Sequence, residues 1–234
     1  MKRLAFACLL LVGVGVGLAQ DSADRLVVHE WGTFTSVAGS DGALLDWRPL
    51  ATTDLPSFVY TLSESRRGDG LRARTGAECK SCGHVECGCG DKCSPRGDGE
   101  CLCCKTCTTA KMRMETPVLY FYPSREMDVS VKVAFPKGLI TEWYPQARSV
   151  SPALNAKTEL QGVAGGAIDW GTVRVLTRGE GSLPVEAGDN HYYAARETDS
   201  ALVRVCTARS EQGRAKPELE KFLFYRGVGN FDLP

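Results

Sequence analysis

Apolar and polar positions alternate with a period of two along much of the chain. In Val129-Ser130-Val131-Lys132-Val133-Ala134-Phe135 the odd positions are apolar, while Ser130 and Lys132 point the other way. That pattern predicts a strand with one buried face. Residues 118–122 form a continuous apolar and aromatic run closed by Pro123, as expected of a more deeply buried strand. Residues 168–176 repeat the alternation, with Val173 and Val175 opposed to Arg174. Further strands are predicted over 192–197 and 201–207, joined by a hairpin turn at Thr198-Asp199-Ser200, and a last short one over 222–225.

Helical signals are weak. Pro217-Glu218-Leu219-Glu220 predicts one short helical turn, since proline suits a first helical position. No segment carries a long apolar i, i+3, i+4, i+7 stripe. Many short strands punctuated by Gly and Pro predict an all-β fold, a β-sandwich-like domain. Glu30-Trp31-Gly32-Thr33-Phe34 is echoed by Asp169-Trp170-Gly171-Thr172-Val173. Both read as strand entries in which Trp packs on the core, Gly permits a bulge or close approach, and Thr begins a pleated run.

The first residues are of another kind. Lys2 and Arg3 precede an uncharged run over 4–18, and Gly17-Leu18-Ala19 supplies small residues at a peptidase site. Residues 1–19 are therefore expected to be a signal peptide, and the mature chain to be periplasmic or extracellular. The run is shorter than the roughly 20 apolar residues of a membrane span and is broken by Gly13, Gly15 and Gly17. No transmembrane segment is expected after cleavage. Residues 20–75 then read as the N-terminal part of the β domain, 76–110 as a cysteine-rich, loop-like insertion, and 111–234 as the main part.

Charge narrows the partners. Lys plus Arg and Asp plus Glu both number 28, which argues against nucleic acid, whose binding rests on neutralising phosphates. Arg66, Arg67, Arg72 and Arg74 are interleaved with Glu64 and Asp69 and read as a solvated loop.

The insertion is the strongest chemical signal. Cys79, Cys82, Cys87, Cys89, Cys93, Cys101, Cys103, Cys104 and Cys107 include C-x-x-C, C-x-C and C-C spacings, and His84 lies among them. Neighbouring thiolates at such spacings can converge on a soft cation, so zinc or copper is a possible cofactor with these ten residues as its ligand pool. Disulfides are the preferred reading. An oxidising compartment favours them, and the nine cysteines with Cys206 make an even ten.

Candidate catalytic residues are sparse. His29 and Glu30 are neighbours and should point to opposite faces of a strand. They do not form the H-E-x-x-H zinc motif. His191 is followed by Tyr192, Tyr193, Arg196 and Glu197. A two-His, one-carboxylate site would need His29 and His191 to meet beside Glu30, Glu197 or Asp169. Arg113 and Glu115 share a face and could bind an anion or pair with each other. Arg226 offers a ligand contact or a buried ion pair. There is no G-x-S-x-G elbow, no phosphate-cradling loop and no dinucleotide fingerprint.

Three stretches carry a resemblance. His29-Glu30-Trp31-Gly32-Thr33-Phe34-Thr35, the run from Lys111 to Tyr122 beginning Lys-Met-Arg-Met-Glu-Thr-Pro, and Phe224-Tyr225-Arg226-Gly227-Val228-Gly229-Asn230-Phe231 resemble signatures of an uncharacterised exported bacterial family of planctomycetes and related groups. The resemblance implies no activity, cofactor or catalytic residue. Family members continue past the last block, which implies that this chain is a shortened version.

Together these features lead us to expect an exported β-rich binding or interaction module whose partner is a protein, glycan or small-molecule ligand. The alternatives are a metal-dependent hydrolase using His29, His191 and nearby carboxylates, and a thiolate metal-sequestering protein. The hydrolase requires the two histidines within about 5 Å of each other. The binding module requires an exposed aromatic or apolar patch.

Overall fold

A computed structural model describes residues 24–47, 49, 55–62, 110–152, 164–177, 181–206, 217–229 and 231. The fold is all-β, with two antiparallel sheets packed as a sandwich. Its strands are β1 (Leu26–Ser36), β2 (Tyr60–Thr61), β3 (Met112–Pro123), β4 (Met127–Phe135), β5 (Gly138–Tyr144), β6 (Ser149–Ser151), β7 (Gly166–Leu176), β8 (Leu202–Val205), β9 (Glu218–Glu220) and β10 (Leu223–Gly229). The first sheet has the order β1-β3-β10-β5-β2. The second has the order β4-β7-β8-β9, with β6 also on β7.

The alternation seen in the sequence builds the space between the sheets. β3 and β10 contribute Met114, Leu119, Phe121, Leu223 and Tyr225, which meet Ile168, Trp170, Val173, Val175, Val203 and Val205 of the second sheet. β4 is half-buried at every other residue, with Asp128, Ser130, Lys132 and Ala134 outward. Each large apolar side chain buried here stabilises the fold by about 1.5–3 kcal/mol, so the core is set chiefly by β3 and β7, with β5, β8 and β10 adding two residues each.

The other face of the first sheet is also covered. Val59, Val118, Tyr144, Tyr192, Phe222 and Phe224 form a second cluster, roofed by a 3-10 helix over His191–Arg196. This corrects the strand expected over 192–197. The Asn190 side chain accepts a hydrogen bond from the Tyr192 N–H at 2.8 Å and so caps the helix. Tyr192 then inserts against Phe58, Phe222 and Phe224, with ring centroids 5.3–5.5 Å apart. Aromatic contact with the sheet outweighs the strand propensity of Tyr192-Tyr193. Residues 198–200 accordingly lead from the helix into β8 rather than turning a hairpin.

A second correction concerns residues 217–220, read as a helical turn. Glu218–Glu220 is strand β9, paired with Val203–Val205 of β8. The Glu218 carboxylate accepts from the Tyr60 hydroxyl at 2.5 Å and the Gln146 N–H at 2.6 Å, which holds the segment extended.

The strands before and after residues 76–110 share one sheet, since β1 pairs with β3 and β2 with β5. Trp47 and Ala110 exchange backbone hydrogen bonds at 3.1 and 2.9 Å. Leu62 packs against the small cluster of Ala110, Leu139 and Val228.

The glycine in Tyr225-Arg226-Gly227 answers a packing demand. A Cβ on Gly227 would lie 2.4 Å from the Leu139 carbonyl oxygen. The β10–β5 register shifts between Arg226 and Gly227, so the strands approach there too closely for any side chain.

Candidate functional site

The two Trp-Gly segments resolve into different environments. Trp170 is fully buried, its indole N–H donates to the Pro145 carbonyl at 2.9 Å, and its ring meets Tyr225 edge-on at 6.2 Å. Gly171 has φ +68, a left-handed conformation that glycine takes at little cost. The Asp169 carboxylate accepts the Gly171 N–H at 2.7 Å. A bulge falls here, because Val131 and Lys132 of β4 face Gly171 and Asp169 of β7. Neither segment is a strand entry: both lie in mid-strand.

Trp31 is 67% exposed, so the expectation that it packs on the core is overturned. β1 has β3 on one side and, among the described residues, no strand on the other. Every residue from Val28 to Thr35 is exposed. Trp31 lies opposite Val118, on the sheet's outer face, while Val28, Glu30 and Phe34 lie opposite Phe121, Leu119 and Met114, on the face toward the second sheet. The register shift between Trp31 and Thr33 places the extra residue on β3, leaving β1 regular along its free edge.

The composition of this edge is unusual. Leu26–Ser36 contains no Lys, Arg or Pro, and Glu30 is its only acidic residue. Glu30 accepts a hydrogen bond from the Tyr225 hydroxyl. Burial pushes the Tyr225 phenol well above its ordinary pKa, and the bond to Glu30 raises it further, so Tyr225 stays a proton donor at all ordinary pH values. Val28, Trp31, Phe34 and the following Val37 are all large exposed apolar residues. By contrast, the edge strand β4 presents Asp128 and Lys132 outward. Charged side chains of that kind are how an edge is ordinarily protected from pairing.

The predicted polar residues are dispersed. The His29 ring packs on Tyr122, centroids 5.1 Å apart, on the outer face, whereas Glu30 faces inward. His191 opens the 3-10 helix and Glu197 caps its end, its N–H donating to the Ala194 carbonyl at 3.1 Å; both are exposed. Among the described residues no three His, Cys, Asp or Glu side chains gather as a metal site. The arrangement therefore does not bring His29, His191 and a carboxylate together. Arg113 Nε lies 3.2 Å from a Glu115 carboxylate oxygen, forming an ion pair. Arg226 is buried, as is Glu142, its opposite number in the β10–β5 register.

Residues 1–19, expected to be a signal peptide, Cys79, Cys82, His84, Cys87, Cys89, Cys93, Cys101, Cys103, Cys104 and Cys107, and the arginines Arg66, Arg67, Arg72 and Arg74 all lie outside the described residues. Cys206, just past the end of β8, is exposed and is the one cysteine among the described residues.

Comparison with known proteins gives no relative: no protein-family model, curated protein or solved structure matches the chain. No described helix is long and apolar enough to cross a membrane. The feature that sequence reasoning missed is the β1 edge. Its signal was the absence of Lys, Arg and Pro over eleven consecutive strand residues.

Proposed function

We propose that the protein is an exported binding module whose working surface is the free edge of β1, which takes up an extended segment of a protein partner by strand addition. The observation that carries this reading is the exposure of Val28, Trp31 and Phe34 along an eleven-residue edge strand with no positive charge. A free edge offers a row of backbone N–H and C=O groups, and alternate side chains give the specificity. A glycan or small molecule could use the Trp31 ring but would leave those backbone groups idle.

The test is to pan a displayed random 12-residue peptide library on sparsely immobilised protein, with Trp31→Lys as the counter-target. Enrichment of sequences with alternating apolar residues, lost on Trp31→Lys, is the expected result. No enrichment, or equal binding to the variant, overturns the reading.

A second reading applies to residues 79–107. The nine cysteines with Cys206 make an even ten, which suits disulfides, while their C-x-x-C, C-x-C and C-C spacings suit a zinc or copper thiolate cluster. A free-thiol count with elemental analysis on chelator-free protein decides between them. Two or more metal ions per chain support a cluster, and near-zero thiols without metal support disulfides.

A further inference from the structure

The occupant of the β1 edge can be read from the edge itself. This step rests on β1 being the interaction surface. We infer that β1 pairs antiparallel with the β1 of a second copy of this chain, about a two-fold axis through Trp31, joining two five-stranded sheets into one.

A symmetric antiparallel pair places each residue opposite one on the same face, because side chains alternate with a period of two. An isologous two-fold then requires the strand to be complementary to its own reverse. Centring the axis on Trp31 sets Val28 opposite Phe34, His29 opposite Thr33 and Glu30 opposite Gly32. Val28 and Phe34 both lie on the face toward the second sheet, and both are exposed in the single chain at 44% and 51%. Each would cover the other. The two Trp31 rings, 67% exposed on the outer face, would meet at the axis, where directly opposed Cβ atoms are about 4.5–5.5 Å apart.

The neighbouring registers fail on charge or on burial. Centring on Glu30 opposes two carboxylates directly, which destabilises a pair. Centring on Gly32 sets Glu30 opposite Phe34 and leaves Val28 against Ser36. Only the Trp31 register separates the carboxylates and covers all three exposed apolar side chains. Each Glu30 also keeps its hydrogen bond from Tyr225, so no carboxylate has to be moved on association.

Sedimentation equilibrium over a concentration series, on the full chain, tests this. Wild type should be dimeric at high concentration. Trp31→Lys alone and Trp31→Glu alone should both sediment as monomers, because each opposes like charges at the axis. An equimolar mixture of the two should recover a dimer, since opposite charges then meet. Trp31 is exposed, so neither variant perturbs the core, and recovery in the mixture shows that both are folded. A monomeric wild type, dimers that persist in Trp31→Lys, or a mixture that stays monomeric would each overturn the inference. A monomeric wild type that still selects peptides through Trp31 would leave strand addition standing and remove only the self-pairing. A dimer abolished by the single variants and rescued by mixing, with no peptide enriched, would support self-pairing and remove the wider partner.

Discussion

The Arg196 guanidinium donates two hydrogen bonds to the Glu220 carboxylate, at 2.9 and 2.6 Å, where the glutamate side chain is fully buried. The same carboxylate accepts from the Tyr192 hydroxyl at 3.3 Å and from the Lys221 N–H at 2.8 Å. This cluster pins the 3-10 helix to the second sheet through β9, and with it the aromatic roof over Val118 and Phe224.

Removing one partner should therefore cost far more than removing both. Arg196→Met leaves a buried carboxylate without its cation and should lower stability by about 3–5 kcal/mol. The double variant Arg196→Met/Glu220→Leu should recover most of that loss. Urea denaturation of the wild type, the single and the double variant checks it, and equal losses in the two variants would contradict the pinning role.

The two tryptophans of the repeated segment should separate cleanly. Trp170→Ala removes a buried ring and an N–H bond to Pro145 and should cost about 3–5 kcal/mol. Trp31→Ala should stay within about 0.5 kcal/mol in the dilute monomer. Unfolding midpoints measured at one protein concentration distinguish them, and similar losses at both positions would refute the assigned environments.

Asp169 gives the fold an acid-sensitive joint. Its hydrogen bond from Arg148, the Gly171 N–H and the nearby Arg148 and Lys132 charges hold its carboxyl below the ordinary 3.8. Because folding lowers this pKa, the stabilisation is complete above pH 3.8 and is lost as pH falls through the folded-state value. Asp169→Asn should leave a shallower decline of stability below pH 3.8 than wild type. Urea midpoints at pH 7, 4, 3 and 2 make the comparison, and parallel acid limbs would exclude Asp169 as a contributor.

The sandwich was legible where its strands are half-buried and therefore alternate. β4 shows this at every residue, and β7 carries it in Val173, Arg174 and Val175. The legible signal failed where a local cap or a single contact decided the backbone. Asn190 and the burial of Tyr192 turned an apparent strand into a 3-10 helix. Paired hydrogen bonds to Glu218 kept a proline-led turn extended. The site was less legible than the fold. Trp31 and Trp170 sit in pentapeptides that share Trp-Gly-Thr, and their positions in the sheets, one at an edge and one in the interior, separate surface from core.

The corner where Trp47, Leu62 and Ala110 come together has a consequence for how such a chain can change over time. The sheet closes here through the Trp47–Ala110 backbone bridge and the β2–β5 pair, on either side of residues 63–109. Lengthening a connection from roughly 6 to roughly 50 residues costs only about 2 kcal/mol of closure entropy. The corner is thus a socket. A change in the length of the chain between Leu62 and Ala110 would therefore weigh little against the pairing that closes this corner.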